Sequence, residues 1–236
     1  MRESYLLLLC DYGRRLIANR LTTGTGGNLS IYDRDRELIA ITPSGKPYEQ
    51  LIPDEISIIN PAGIHLDGQP PSSEWPLHTA VYHQRPEINA IVHTHSRFAT
   101  TFAVLRQPIP ACHYLIAVSG VDQVRVAPYV TFGTDELARE TVASLGQDNC
   151  ILLANHGLLA LGNDLPQAYN IALYIEEVAE LCYRARAIGT PVLLTHEEMD
   201  AARERFQTYG FNNPSKQLDQ GLPGSRQQER HGTRQK

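Results

Sequence analysis

The sequence predicts an α/β protein in which helices cover a mixed, partly antiparallel sheet. Segments with helical apolar spacing and short apolar runs alternate along the chain, but irregularly. Short strand-like runs are joined by tight polar turns, which make antiparallel hairpins. A chain of 236 residues is long enough to bury a full core as one α/β domain, or to split into two small ones. The irregular alternation and the hairpins argue against a strictly doubly wound fold.

Tyr5, Leu8, Leu9, Tyr12 and Leu16 recur at helical spacing, which predicts an amphipathic helix over about residues 3–20. A small-residue loop, 22–28, follows. Two strands are expected at 29–32 and 38–42, joined by the charged turn 33–36. The segment 42–47 reads as a loop, 56–59 as a strand and 60–63 as a turn. Ser72 and Ser73 precede a helix over 74–85, with Pro76 tolerated in its first turn. The apolar run 88–92 is a strand ending in His93-Thr94-His95, followed by a helix at 98–105.

Residues 134–145 read as a helix capped by Thr134, with Glu136 near its positive end. The strand 150–154 leads into Asn155-His156-Gly157. A long helix covers 165–188 and stops at Gly189, with Pro191 just beyond. A last helix is expected at 197–206. The domain is expected to span 1–213. The tail 214–236 is polar and rich in Gln, Arg and Gly, with only Leu218 and Leu222 to bury, and reads as disordered.

The net charge of −5 gives no basic footprint for nucleic acid. No apolar stretch reaches the roughly 20 residues that cross a bilayer. The run Leu6 to Leu9 is flanked by Glu3 and Asp11 and is too short for a secretory core. Cys10, Cys112, Cys150 and Cys182 form no paired motif and read as thiols of a reducing compartment, so a cytoplasmic location is expected.

Residues two apart on a strand project to one face, so His93 and His95 point together. Such a pair is either a polar surface feature or the start of a divalent metal site, since zinc takes imidazole nitrogens readily. His156, at another strand end, is the natural third ligand, although spacing alone does not bring it to the pair. His65, His78, His83, His113, His196 and His231 compete; His78 and His83 lie on an expected helix and read as packed or partly exposed. Gly27-Asn28, Ser44-Gly45 and Ser72-Ser73 are loops of small donors. Glycine lets backbone approach an anion, and neutral hydroxyls and amides bind it. A helix N-terminus behind the serines would favour a phosphate. Each loop taken singly reads more readily as an ordinary turn or helix cap than as a phosphate site. Glu74 is either a first-turn acid or a carboxylate beside a metal, able to ligate or to move a proton.

Taken in order, Gly26-Gly27-Asn28-Leu29-Ser30, Thr42-Pro43-Ser44-Gly45, Pro71-Ser72-Ser73-Glu74, His93-Thr94-His95 and Asn155-His156-Gly157 resemble the class II aldolase/adducin family. The blocks 109–114, 127–134 and 208–210 match its aldolase branch. The resemblance covers residues 5–211. It implies a three-layer α/β/α fold around a mixed, largely antiparallel sheet. It implies one zinc ion per subunit, held by His93, His95 and His156, with Glu74 as the resting fourth ligand and then the proton-transferring carboxylate. Phosphate would sit among Gly27, Asn28, Ser44, Gly45, Ser72 and Ser73; the family often has threonine where Ser44 stands, and the hydroxyl survives that change. Tyr114 of a neighbouring subunit would protonate the aldehyde oxygen, and Phe132 and Tyr209 would line the aldehyde end. Such aldolases are similar in forming homotetramers with sites at subunit interfaces.

The implied reaction cleaves a ketose 1-phosphate to dihydroxyacetone phosphate and a small aldehyde through an enediolate. A Lewis acid stabilises the negative charge, so no Schiff-base lysine is needed and Lys46 reads as a solvated loop residue. L-Fuculose 1-phosphate, 5-deoxyribulose 1-phosphate and 5-methylthioribulose 1-phosphate are the candidate substrates. Alternatives on the same scaffold are a pentulose-phosphate 4-epimerase, a methylthioribulose-phosphate dehydratase and a non-catalytic adducin-head module. The first tends to carry aspartate in place of Glu74, and the last would be expected to have lost its metal ligands.

Overall fold

Helix α1 (Glu3–Ala18) forms where the apolar spacing predicts and buries Leu9, Tyr12 and Leu16. The computed structural model in which it is seen describes residues 1–208. Strands β1 (Asn28–Asp33) and β2 (Leu38–Ile41) make the expected hairpin, with Ser30 opposite Ile41. They are followed by β3 (Ser57–Ile59) and a short strand the sequence did not announce, β4 (His65–Asp67). Then come α2 (Trp75–Gln84), β5 (Ala90–Thr94) and α3 (Arg97–Leu105). The two-residue β6 (Val126–Ala127), α4 (Asp135–Leu145), β7 (Cys150–Leu153) and β8 (Gly157–Gly162) follow. The described chain closes with α5 (Leu165–Ile188) and α6 (His196–Thr208).

The eight strands lie in the order β4-β3-β2-β1-β5-β8-β7-β6. Every neighbouring pair is antiparallel except β6 with β7. Leu29, Ile31, Ala90 and Val92 face one core with Leu9 and Leu16 of α1, Phe102 of α3 and Ile175 of α5. Ile39, Ile41, Ile91 and Leu159 face a second core with Leu77, Val81 and Tyr82 of α2 and Ala138 and Leu145 of α4. The layers are therefore α/β/α, with a mixed, largely antiparallel sheet between two hydrophobic cores.

Burial on both faces explains why β5 reads as a continuous apolar run rather than an alternating one. His93 has the parity of Ile91, so its ring leaves the sheet on the α2/α4 side. The helix starts are set by local chemistry. Thr134 caps α4 by accepting from the Leu137 amide at 3.1 Å, and Asp164 caps α5 by accepting from the Gln167 amide at 2.8 Å. Helix α3 has no side-chain cap of its own at Ser96. Glu176 of α5 accepts from the Phe98 and Ala99 amides at 2.9 and 2.8 Å instead. That carboxylate anchors the helix that begins two residues after His95.

Candidate metal centre and phosphate cradle

Four donors meet beyond the ends of β5 and β7. His93 lies near the end of β5 and His95 just past it. His156 lies in the turn between β7 and β8, and Glu74 immediately precedes α2. One nitrogen or oxygen of each lies within 4.8 Å of those of the other three. Two features of the backbone make the convergence possible. Asn155 adopts a left-handed conformation (φ 56°), which asparagine tolerates, and so turns His156 back over the sheet. At Gly157 the strand passes so close to β5 that an added Cβ would sit 2.2 Å from the Thr94 carbonyl oxygen.

The electrostatics prepare the imidazoles to coordinate. His93 Nδ1–H donates to the Leu158 carbonyl at 3.0 Å, which leaves the Nε2 lone pair pointing into the cluster. That Nε2 is 3.0 Å from His95 Nε2 and 3.2 Å from His156 Nε2. Burial, reinforced by the neighbouring imidazoles, holds His93 well below the ordinary histidine range. Burial also lowers His95 and His156. Neutral imidazole is the form that binds a metal.

A cation fits these residues. Donors at about 2.0–2.2 Å from one tetrahedral zinc ion lie about 3.3 Å from each other. Glu74 Oε2 is 3.3 Å from His93 Nε2, and Glu74 Oε1 is 3.3 Å from His156 Nε2. Glu74 Oε1 is buried without a hydrogen-bond partner, a cost that a bound cation would remove.

The hydroxyl loops are laced together beside this cluster. Ser72 N–H donates to the Thr42 carbonyl, and Ser44 N–H to the Pro70 carbonyl, at 3.1 and 3.0 Å. The Asn28 carboxamide donates to Ser72 Oγ at 3.0 Å and to Glu74 Oε2 at 2.8 Å. Asn28 and Ser72 are buried, whereas Ser44, Gly45 and Ser73 are exposed around them. The geometry gives Gly27 a reason that its loop alone does not: at φ 68° it lies against β5, and a Cβ there would meet the His93 carbonyl oxygen at 2.5 Å. Tyr48 was not singled out from the sequence, yet its buried hydroxyl donates to the Gly27 carbonyl at 2.8 Å and ties the loop down. Lys46 is not simply solvated, because it pairs with Glu55 at 2.7 Å.

His78 is entirely buried and sits in this assembly. Burial pushes its imidazole down to about 3, so it is neutral. Its Nε2 lies 2.5 Å from Asn28 Oδ1 and its Nδ1 2.6 Å from Ser30 Oγ. The sequence carried only a partial signal for it, because nothing local says that the two faces meet. Asn28 and Ser30 share one strand face, and His78 and Tyr82 are one helical turn apart.

Tyr114 and Phe132 are exposed. Tyr114 begins a 3-10 segment, Tyr114–Ser119, and stacks on Phe206 with ring centroids 6.1 Å apart. Phe132 rides on a loop whose Gly133 lies against Ser73. Tyr209 and the tail 214–236 lie outside the described residues.

The fold is an α/β sandwich, and its site gathers three histidines and a glutamate that could hold a metal ion, with hydroxyl-bearing loops beside them. The profile of the class II aldolase and adducin N-terminal domain matches residues 8–183, and the chain belongs to that family. It is 44% identical over 200 residues to 5-deoxy-D-ribulose 1-phosphate aldolase of Bacillus thuringiensis serovar kurstaki, covering 84% of this chain and 93% of that protein. It is 40% identical over 204 residues to 5-methylthioribulose-1-phosphate/5-deoxyribulose-1-phosphate aldolase of Rhodospirillum rubrum, covering 86% and 91% of the two chains. A solved structure of L-fuculose 1-phosphate aldolase superposes with a TM-score of 0.85 at 41% identity, covering 88% of this chain and 98% of that one. The chain is a class II aldolase, a lyase.

Proposed function

We propose that this enzyme is a zinc-dependent aldolase that reversibly cleaves a ketose 1-phosphate to dihydroxyacetone phosphate and a small aldehyde. The observation that carries the reading is the joining of Glu74 to Ser72 through Asn28. It sets the metal donors and the hydroxyl cradle side by side, as a substrate with both a phosphate and a reacting ketone requires. His93, His95 and His156, with Glu74 as exchangeable fourth donor, would hold the zinc ion, which would supply a Lewis acid for the charge that develops on the ketone oxygen. The chain's own residues do the rest. Gly27, Asn28, Ser44, Gly45, Ser72 and Ser73 bind the phosphate with neutral donors. Glu74 moves the proton at the reacting carbon. Tyr114 from a neighbouring subunit exchanges a proton with the aldehyde oxygen, and Phe132 and Tyr209 line that end. The exposure of Tyr114 and Phe132 supports a site finished by a second subunit of a homotetramer. One catalytic unit spans 1–213. The free thiols of Cys10, Cys112, Cys150 and Cys182 support a cytoplasmic setting.

The names of the relatives favour 5-deoxyribulose 1-phosphate, 5-methylthioribulose 1-phosphate or L-fuculose 1-phosphate as substrate. All three end in an apolar group, and a pocket discriminates one such group by only about 1–3 kcal/mol, so overlapping activities are expected. The test condenses dihydroxyacetone phosphate with acetaldehyde, methylthioacetaldehyde and lactaldehyde, comparing kcat/KM and measuring metal on the same sample. One zinc per chain is expected, with turnover lost on chelation and restored by zinc. Full turnover in metal-free protein, or no condensation with any aldehyde, would refute the proposal.

A further inference from the structure

Glu74 is held from one side by a buried file of hydrogen bonds that runs through the α2 side of the sheet. Its polarity can be read from one end. A carboxylate only accepts, so the group 2.8 Å from Glu74 Oε2 is the Asn28 amide nitrogen, and the same nitrogen donates to Ser72 Oγ. Asn28 Oδ1 then faces His78 Nε2 at 2.5 Å, which must carry the imidazole proton. His78 Nδ1 is left with its lone pair and accepts from the Ser30 hydroxyl at 2.6 Å. Ser30 Oγ in turn accepts from the Tyr82 hydroxyl at 2.7 Å. Ser30, His78 and Tyr82 are all buried, so no water competes for these bonds. Reversing the carboxamide would set Oδ1 against the carboxylate and N–H against N–H.

We propose that Tyr82, Ser30 and His78 are positioning residues that fix the Asn28 carboxamide on Glu74 Oε2 and so leave Oε1 as the oxygen that exchanges the proton. Oε1 is the carboxylate oxygen without a hydrogen-bond partner, and it faces His156. In the exchange the proton passes between Oε1 and the substrate carbon, and the C–H electron pair stays with the carbon. The inference rests on the role given to Glu74 above.

Two measurements test it. Nitrogen-15 spectra of the full chain should show His78 as the neutral Nε2–H tautomer; the Nδ1–H tautomer would overturn the chain's polarity. Solvent exchange of the proton on dihydroxyacetone phosphate should fall about ten- to a hundredfold in His78→Leu with zinc content held, as for other residues that orient a ligand. His78→Gln keeps a donor for Asn28 and should recover most of the rate. In an Asn28→Ala background, adding His78→Leu should change the rate less than about twofold, because the residue acts through Asn28. Equal losses in both backgrounds would reduce His78 to a packing role. If His78→Leu does not fold, Tyr82→Phe removes a single hydroxyl and should slow exchange measurably; an unchanged rate would sink the chain. Glu74→Gln separates the two readings. Exchange that survives it removes Glu74 from the mechanism. Exchange lost in Glu74→Gln but untouched in His78→Leu and Tyr82→Phe removes only the positioning chain.

Discussion

At His93, burial and a single hydrogen bond decide the chemistry. The Leu158 carbonyl takes the proton of Nδ1, and the enclosing cores keep the ring neutral, so the lone pair is ready for a cation. Removing a neighbouring donor should therefore remove the ion. His95→Ala is expected to lose bound metal and turnover together while the circular-dichroism spectrum stays native; retained stoichiometric metal would contradict the assignment. His78 makes a different prediction. Its folded value of about 3 lies below the ordinary 6.5, so the unfolded chain binds more protons between these values. Its contribution is present in full above pH 6.5 and is lost as pH falls toward 3. Urea midpoints measured at pH 7 and 4.5 should show a smaller acid loss for His78→Gln than for the native chain. The pair His93-Thr94-His95 was legible in the sequence because alternation on a strand is local. His78 was not, because nothing in its own helix says that β1 presents Asn28 and Ser30 to it.

Helices were the legible elements. Helix α5 is bounded by Asp164 and Gly189, and α4 by Thr134, because caps are written next to the segments they stop. Strands β4, β6 and β8 were not foreseen. The first two hold three and two residues, too few for any periodicity. In β8 an all-apolar run between Gly157 and Gly162 is buried on both faces, so it shows no alternation. Yet β8 holds much of the site, since it supplies the carbonyl that orients His93 and follows the turn that presents His156. Gly157→Ala should cost about 1–3 kcal/mol, because the new Cβ meets backbone rather than a side chain that can move. A melting temperature equal to that of the native chain would show that β5 and β8 can separate without penalty.

For the whole molecule, the proposed sharing of the site between copies of the chain can be tested at Tyr114. Mixed preparations of Tyr114→Phe and Glu74→Gln, each slow alone, should regain part of the native turnover, because some interfaces then pair an intact Glu74 with an intact Tyr114. No gain on mixing would place Tyr114 in the same subunit's site or outside the reaction. The amino-acid order by itself determined the residue types, the helices with their caps, and the ordered motifs that mark the family. These depend on neighbours within a few positions or on a linear pattern. Only the tertiary structure decided that Glu74, His93, His95 and His156 converge, that Gly27 and Gly157 are spaces for passing strands, and that His78 stands behind Asn28. Sheet register and the packing of α2 across it set those distances, and both are fixed by burial on two faces at once, which no single segment encodes.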